Sequence, residues 1–114
     1  MDVRAAVIAA VNAAGVECRA TPPPERPAAF CTVVQGSGRV RSRVACTTLA
    51  SVTAWEATEA RAWALCARVR DALCEPGAVP GALAVGVNAN VHPDNDPESG
   101  TPRATVTIEV NHRI

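Results

Sequence analysis

The sequence has 114 residues, a formal net charge of zero and no lysine, every one of its 11 basic residues being arginine. That length makes a single domain able to bury a core without staples, and the charge balance argues against a mainly electrostatic nucleic-acid binder. Hydrophobic residues reach 48% while aromatics are only 3%, so a core of closely packed Ala and Val is expected.

The opening residues, Met1-Asp2-Val3-Arg4-Ala5, show no long apolar run and no cleavage pattern, so neither a secretory signal nor a membrane span is expected. Five cysteines, Cys18, Cys31, Cys46, Cys66 and Cys74, include no CxxC pair. They are read as small buried hydrophobes in a reducing compartment, with a Cys/His metal site as the sharper alternative that no ligand spacing supports.

Asp2 predicts an N-cap for a first helix that stops near Gly15. Val3, Ala6, Val7, Ala10 and Ala14 form one stripe, but the opposite side is apolar too, with only Arg4 and Asn12 clearly polar. Such a helix either meets a neighbouring subunit on its second side or simply tolerates exposed alanine. Val16 to Ala20 is a short strand. Thr21-Pro-Pro-Pro-Glu-Arg-Pro27 fits neither a helix interior nor a central strand, because proline lacks the donor and fixes φ, so it reads as an extended connector.

Phe30 to Gln35 is a second strand, and Gly36-Ser-Gly38 is read as a turn. Arg39, Arg41 and Arg43 then alternate along one side of an extended segment. That basic stripe is a solvated edge that deters pairing, or else a contact for an acidic surface. Val44 to Trp55 predicts a long strand, about 40 Å if unbroken; both its faces are mixed, as in a central strand. Thr58 caps a second helix running to Cys74, about 25 Å long, with Ala62, Leu65, Cys66, Val69 and Leu73 as its core stripe. Trp63 lies off that stripe and is read first as half-covered core and second as a partner anchor. Leu83, Val85 and Val87 mark a fourth strand. Ala104, Val106, Ile108 and Val110 alternate with Thr105, Thr107, Glu109 and Asn111 in a fifth. The expected fold is α+β, a mixed or antiparallel sheet of about five strands with two helices on one face.

No nucleophile with a base beside it, Gly-rich phosphate loop or HExxH is visible, and His92 and His112 lack a third orienting group. No catalytic, cofactor-binding or metal residue is therefore assigned. The stretch from His92 to Pro102 joins the last two strands and alternates Asp94, Asp96 and Glu98. A calcium loop needs glycine at its sixth position and an acid at its twelfth; here those positions are Ser99 and Thr105, so a solvated acidic turn is the better reading.

The segment Pro93-Asp-Asn-Asp-Pro-Glu-Ser-Gly-Thr-Pro-Arg103 before an alternating strand resembles the P-D-P-D-(S/T)-G-x-P-R loop and strand of phage tail terminator proteins, as carried by phages of high-GC bacteria. Arg26-Pro-Ala-Ala-Phe30 followed by Gly36-Ser-Gly38 is similar to that family's second strand and turn. Trp55-Glu-Ala-Thr-Glu-Ala-Arg-Ala62 resembles its strand-to-helix junction. The likeness covers nearly the whole chain and departs at Cys31, Cys46, Asn95 and Glu98.

What the resemblance implies is a non-enzymatic virion protein of a long-tailed phage. It would form a homo-hexameric ring on the head-proximal end of the tail tube, assembled in the host cytoplasm. The ring would contact the tail tube protein and the head-tail connector, with genome DNA passing through unbound and no membrane involved. Interface residues on this reading are Arg39, Arg41, Arg43, Trp63, Asp94, Asp96, Glu98 and Arg103. The loop is expected to reach out about 15 to 18 Å as a docking hairpin. A head-to-tail connector or neck protein is the nearest alternative, and a small cytosolic ligand-binding domain the next.

Overall fold

Local signals at the helix ends are read out directly in the structure, a computed structural model that describes every residue except Arg26. The first residue of the quoted Arg26–Phe30 segment thus lies outside the described residues. Helix α1 spans Val3–Ala13, and the Asp2 carboxylate accepts from the Ala5 amide at its start. The chain leaves it through Gly15 at φ +88°, a conformation that favours glycine. The Arg68 guanidinium of the second helix donates to the Ala14 carbonyl at 3.1 Å, so one helix completes the C-terminus of the other.

Strand β1 is only Cys18–Arg19. The Asn12 side chain holds it by accepting from the Cys18 amide at 2.9 Å and donating to the Cys18 carbonyl. Strand β2 is Phe30–Val40, β3 Ala45–Trp55, β4 Ala82–Pro93 and β5 Arg103–Arg113, with helix α2 at Glu59–Cys74 between β3 and β4. The sheet order is β1-β2-β3-β5-β4. Among the described residues only the β1–β2 pair is parallel, which makes this a mixed sheet in an α+β fold. The long third strand is central, as its two mixed faces predict.

The Gly36–Gly38 turn is corrected by the structure. The chain runs straight through both glycines as β2, with a bulge between Gln35 and Gly38. A Cβ on Gly38 would stand 3.1 Å from the Thr47 carbonyl oxygen, so glycine here permits close approach to the neighbouring strand. The reversal comes later, at Arg41 to Val44, where the amides of Arg41 and Ser42 both donate to the Ala45 carbonyl.

Alternate residues of the central strands point to the helices. Val33, Ala50, Val52, Ala54, Val106, Ile108 and Val110 join Val7 and Val11 of α1 and Cys66, Val69 and Leu73 of α2 in one core. Each fully buried Val or Leu there contributes about 1.5–3 kcal/mol. The small residues expected from composition are what let both helices lie close to the sheet. Leu65, placed on the core stripe, is only partly buried.

Among the described residues no helix or strand covers the other sheet face, which is laced by hydroxyls. Thr53 pairs with Thr105 at 2.9 Å and Ser51 with Thr107 at 3.0 Å, cross-strand bonds worth roughly 0.2–1 kcal/mol each. Edge strand β4 bears no charged side chain from Ala82 to Val91, but it is bulged at three places and ends in Pro93. Those devices blunt an edge that charge does not.

The Thr58 hydroxyl accepts from the Arg61 amide at 3.2 Å and opens α2. Thr58→Ala should cost about 1 kcal/mol while Thr58→Ser costs little, read as a shift in urea midpoint with unchanged slope.

Candidate functional site

Register places the two charged features at opposite ends of the sheet. Trp55 pairs with Arg103 at one end of the β3–β5 ladder and Ala45 with Arg113 at the other. The loop joining β4 to β5 therefore sits at the Trp55 end, and the β2–β3 turn at the Ala45 end. Eleven strand residues separate them, roughly 36 Å, along a molecule 44 Å in its longest extent.

At the Trp55 end the outer face is built on a three-layer stack. Phe30, Trp55 and Arg103 occupy neighbouring positions on β2, β3 and β5. The Phe30 and Trp55 rings stack at 5.4 Å, and the Arg103 guanidinium lies 5.0 Å from the Trp55 ring. The indole N–H donates to Thr32 Oγ1 at 3.1 Å. Arg103 Nε also donates to the Asp94 carbonyl, and its guanidinium stands 3.6 Å from the Asp94 carboxylate. Thr105 Oγ1 donates to the same carboxylate at 3.0 Å. Arg103 and Asp94, both assigned to an interface from sequence, are therefore engaged in holding the base of the loop.

Two expectations about the loop change. It begins after Pro93, because His92 and Pro93 still pair in β4. It is also no free arm. The Asp96 amide donates to the Thr101 carbonyl at 3.0 Å and the Gly100 amide to the Asp96 carbonyl at 2.8 Å. Ser99 Oγ donates to Asp96 Oδ2 at 2.6 Å, and that bond holds the Asp96 carboxyl below its ordinary range. The closed loop lies beside the outer face. There Asp96 and Glu98 form one wall and Thr21 and Pro22 of the connector another, around a groove of about 550 Å³. Its floor is Thr32, Val34, Thr53 and Trp55, with Val34 exposed at 61%.

The arginine stripe is also redrawn. Arg39 lies in β2, whereas Arg41 and Arg43 belong to the turn, so the three do not share one side of a strand. Arg41 Nε donates to Thr47 Oγ1 at 2.8 Å and its guanidinium approaches the Glu109 carboxylate at 3.9 Å. Arg39 and Arg43 are exposed. Flanking them, Val40 and Val44 are 72% and 70% exposed, an apolar pair at a tip where sequence reasoning saw only charge. Trp63 is 46% exposed, half covered as expected, but it is not part of the core cluster.

Cys46 and His112, distant in sequence, meet by register. The ring Nδ1 lies 2.9 Å from the Arg113 carbonyl, which can only accept, so that nitrogen carries the proton. Nε2 is left to accept from the Thr48 hydroxyl at 2.9 Å, and the Cys46 sulfur lies against the ring, 3.4 to 3.5 Å from its two nitrogens. Every ring nitrogen of this buried His is thus satisfied. Among the described residues no group of three or more His, Cys, Asp or Glu is placed to hold a metal ion, and no helix is long and apolar enough to cross a membrane.

These features define a two-layer α+β domain with an acidic loop at one end of its sheet, an arginine turn at the other, and one face that no described helix or strand covers. Comparison with protein-family models and with curated proteins finds no match for this chain.

Proposed function

We propose that the protein is a structural component of a long-tailed phage, a tail-terminator-like ring that caps the head-proximal end of the tail tube and joins it to the head connector. The order of its motifs resembles that family along nearly the whole chain. One structural observation carries the reading furthest. The acidic loop and the arginine turn lie a full strand length apart, so within one copy the loop's Asp96 and Glu98 cannot pair with the turn's arginines. A closed ring needs two unlike surfaces on each subunit, and opposite charges on them set orientation and register.

On this reading the loop is a preformed docking element for the tube or for a neighbouring subunit, held by its own hydrogen bonds. Deleting Asn95 to Ser99 leaves a Gly100-containing connection short enough for a hairpin, so the variant should fold. It is expected to lose tube capping, seen as tails of uncontrolled length in an assembly assay. Tails of normal length from that variant would sink the proposal.

A further inference from the structure

We propose that the β2–β3 hairpin tip of one copy seats in the groove beside the acidic loop of a second copy, so that subunits join tip to groove. This deepens the ring reading above and rests on it.

The two surfaces match in chemistry and lie at opposite ends of the same chain. The tip offers cations, Arg39 and Arg43, flanked by Val40 and Val44 at 72% and 70% exposure. Together they give the tip a small apolar surface beside its charge. The groove offers the complement. Asp96 and Glu98 line it, and Val34, 61% exposed, lies in its floor. Arg103, the cation that also lines it, is already bonded to Asp94 and stacked on Trp55, which leaves the two acids to set the sign.

Both partners are rigid before they meet. Arg41 is tied to Thr47, and Ser42 Oγ accepts from the amides of Val44 and Ala45 at 3.3 and 3.2 Å. The loop wall is closed by its own bonds. Little ordering entropy is lost on docking between such surfaces. A contact between unlike patches leaves one tip and one groove free on every pair, so it propagates until it closes.

Mixing two charge-reversed chains tests the contact. Arg39→Glu/Arg43→Glu makes an acidic tip; Asp96→Asn/Glu98→Arg makes a basic groove while the amide keeps an acceptor for Ser99. Mass by light scattering is followed against concentration and salt, with circular dichroism confirming the fold. The native chain should self-associate, more weakly as salt rises. Each variant alone should lose roughly a hundredfold or more in association, because like charges face each other. An equal mixture should assemble again, since each tip then finds an opposite groove. A native chain that stays monomeric, variants that assemble alone, or folded variants that ignore each other would overturn the contact. If a reversal unfolds the chain, Arg43→Ala and Glu98→Ala decide instead, and purely additive effects on association count against contact. Tube capping is scored separately. Rescue on mixing without capping overturns only the tail reading; capping by reversed chains that still assemble alone overturns only the contact.

Discussion

Raising the pH from 8 through 10 is expected to strip stability from this protein faster than its arginine and carboxylate content would predict. Cys18, Cys31 and Cys66 are all in the core. Burial pushes the Cys18 and Cys66 thiols up to about 11 from 9.0. It pushes Cys31 further still, helped by the two neighbouring sulfurs. In the unfolded chain all three ionise near 9. Above that pH the unfolded state binds fewer protons than the fold does, so stability falls as pH rises, by up to about 1.4 kcal/mol per pH unit for each thiol. Cys18 and Cys66 stop contributing above about 11, while Cys31 continues. Urea unfolding at pH 8, 9 and 10 should show midpoints moving steadily down. Cys31→Val, which removes one of the three protons, should lower the slope between pH 8 and 10 by about a third, because Cys18 and Cys66 still contribute there. Equal midpoints at pH 8 and 10 would mean the thiols are not held neutral by the fold.

Trp55→Ala should be the most damaging substitution on the uncovered face, at about 3–5 kcal/mol. The indole is only 5% exposed despite facing away from the helices. It is packed between Phe30 and Arg103 and donates to Thr32. Stacking of this kind adds about 0.5–1.5 kcal/mol beyond area, and a guanidinium over the ring adds on the order of 0.5–1 kcal/mol. Against a total stability of about 5–15 kcal/mol, the loss is a large share. Trp55→Phe should retain the stack, lose the bond to Thr32 and fall by about 1 kcal/mol. Chemical denaturation of the two variants separates these contributions; a Trp55→Ala chain within 1 kcal/mol of native would show the stack to be ornamental. Because Arg103 also holds Asp94, the same variant should loosen the loop and weaken self-association.

Much of the fold was legible because its signals are local. Asp2 and Thr58 cap the helices they were expected to cap, and the alternation from Ala104 to Val110 is the inner face of β5. The misreadings share a cause. Glycine signals freedom of the backbone without saying what uses it. At Gly36 and Gly38 the user is a close strand neighbour, and the turn falls at four residues with no glycine among them. Trp63's neighbours on the helix set its side of α2, but how far α2 rolls onto the sheet sets how much of the indole is covered. Val44 is expected as the first residue of a strand, but the position of the turn leaves it and Val40 open.

The sequence alone determined the element order, the caps, the small-residue core and the α+β class, because each depends on residues within a few positions of one another. It also supplied the chemistry of the ends, three acids in one short stretch and three arginines in another. Only the tertiary structure decided where those ends lie. Strand register joins residues more than fifty positions apart, Thr53 to Thr105 and Cys46 to His112, and no local propensity encodes it. The same pairing sets Phe30, Trp55 and Arg103 side by side, closes the groove with Asp96 and Glu98, and carries the arginine tip to the far end of the molecule.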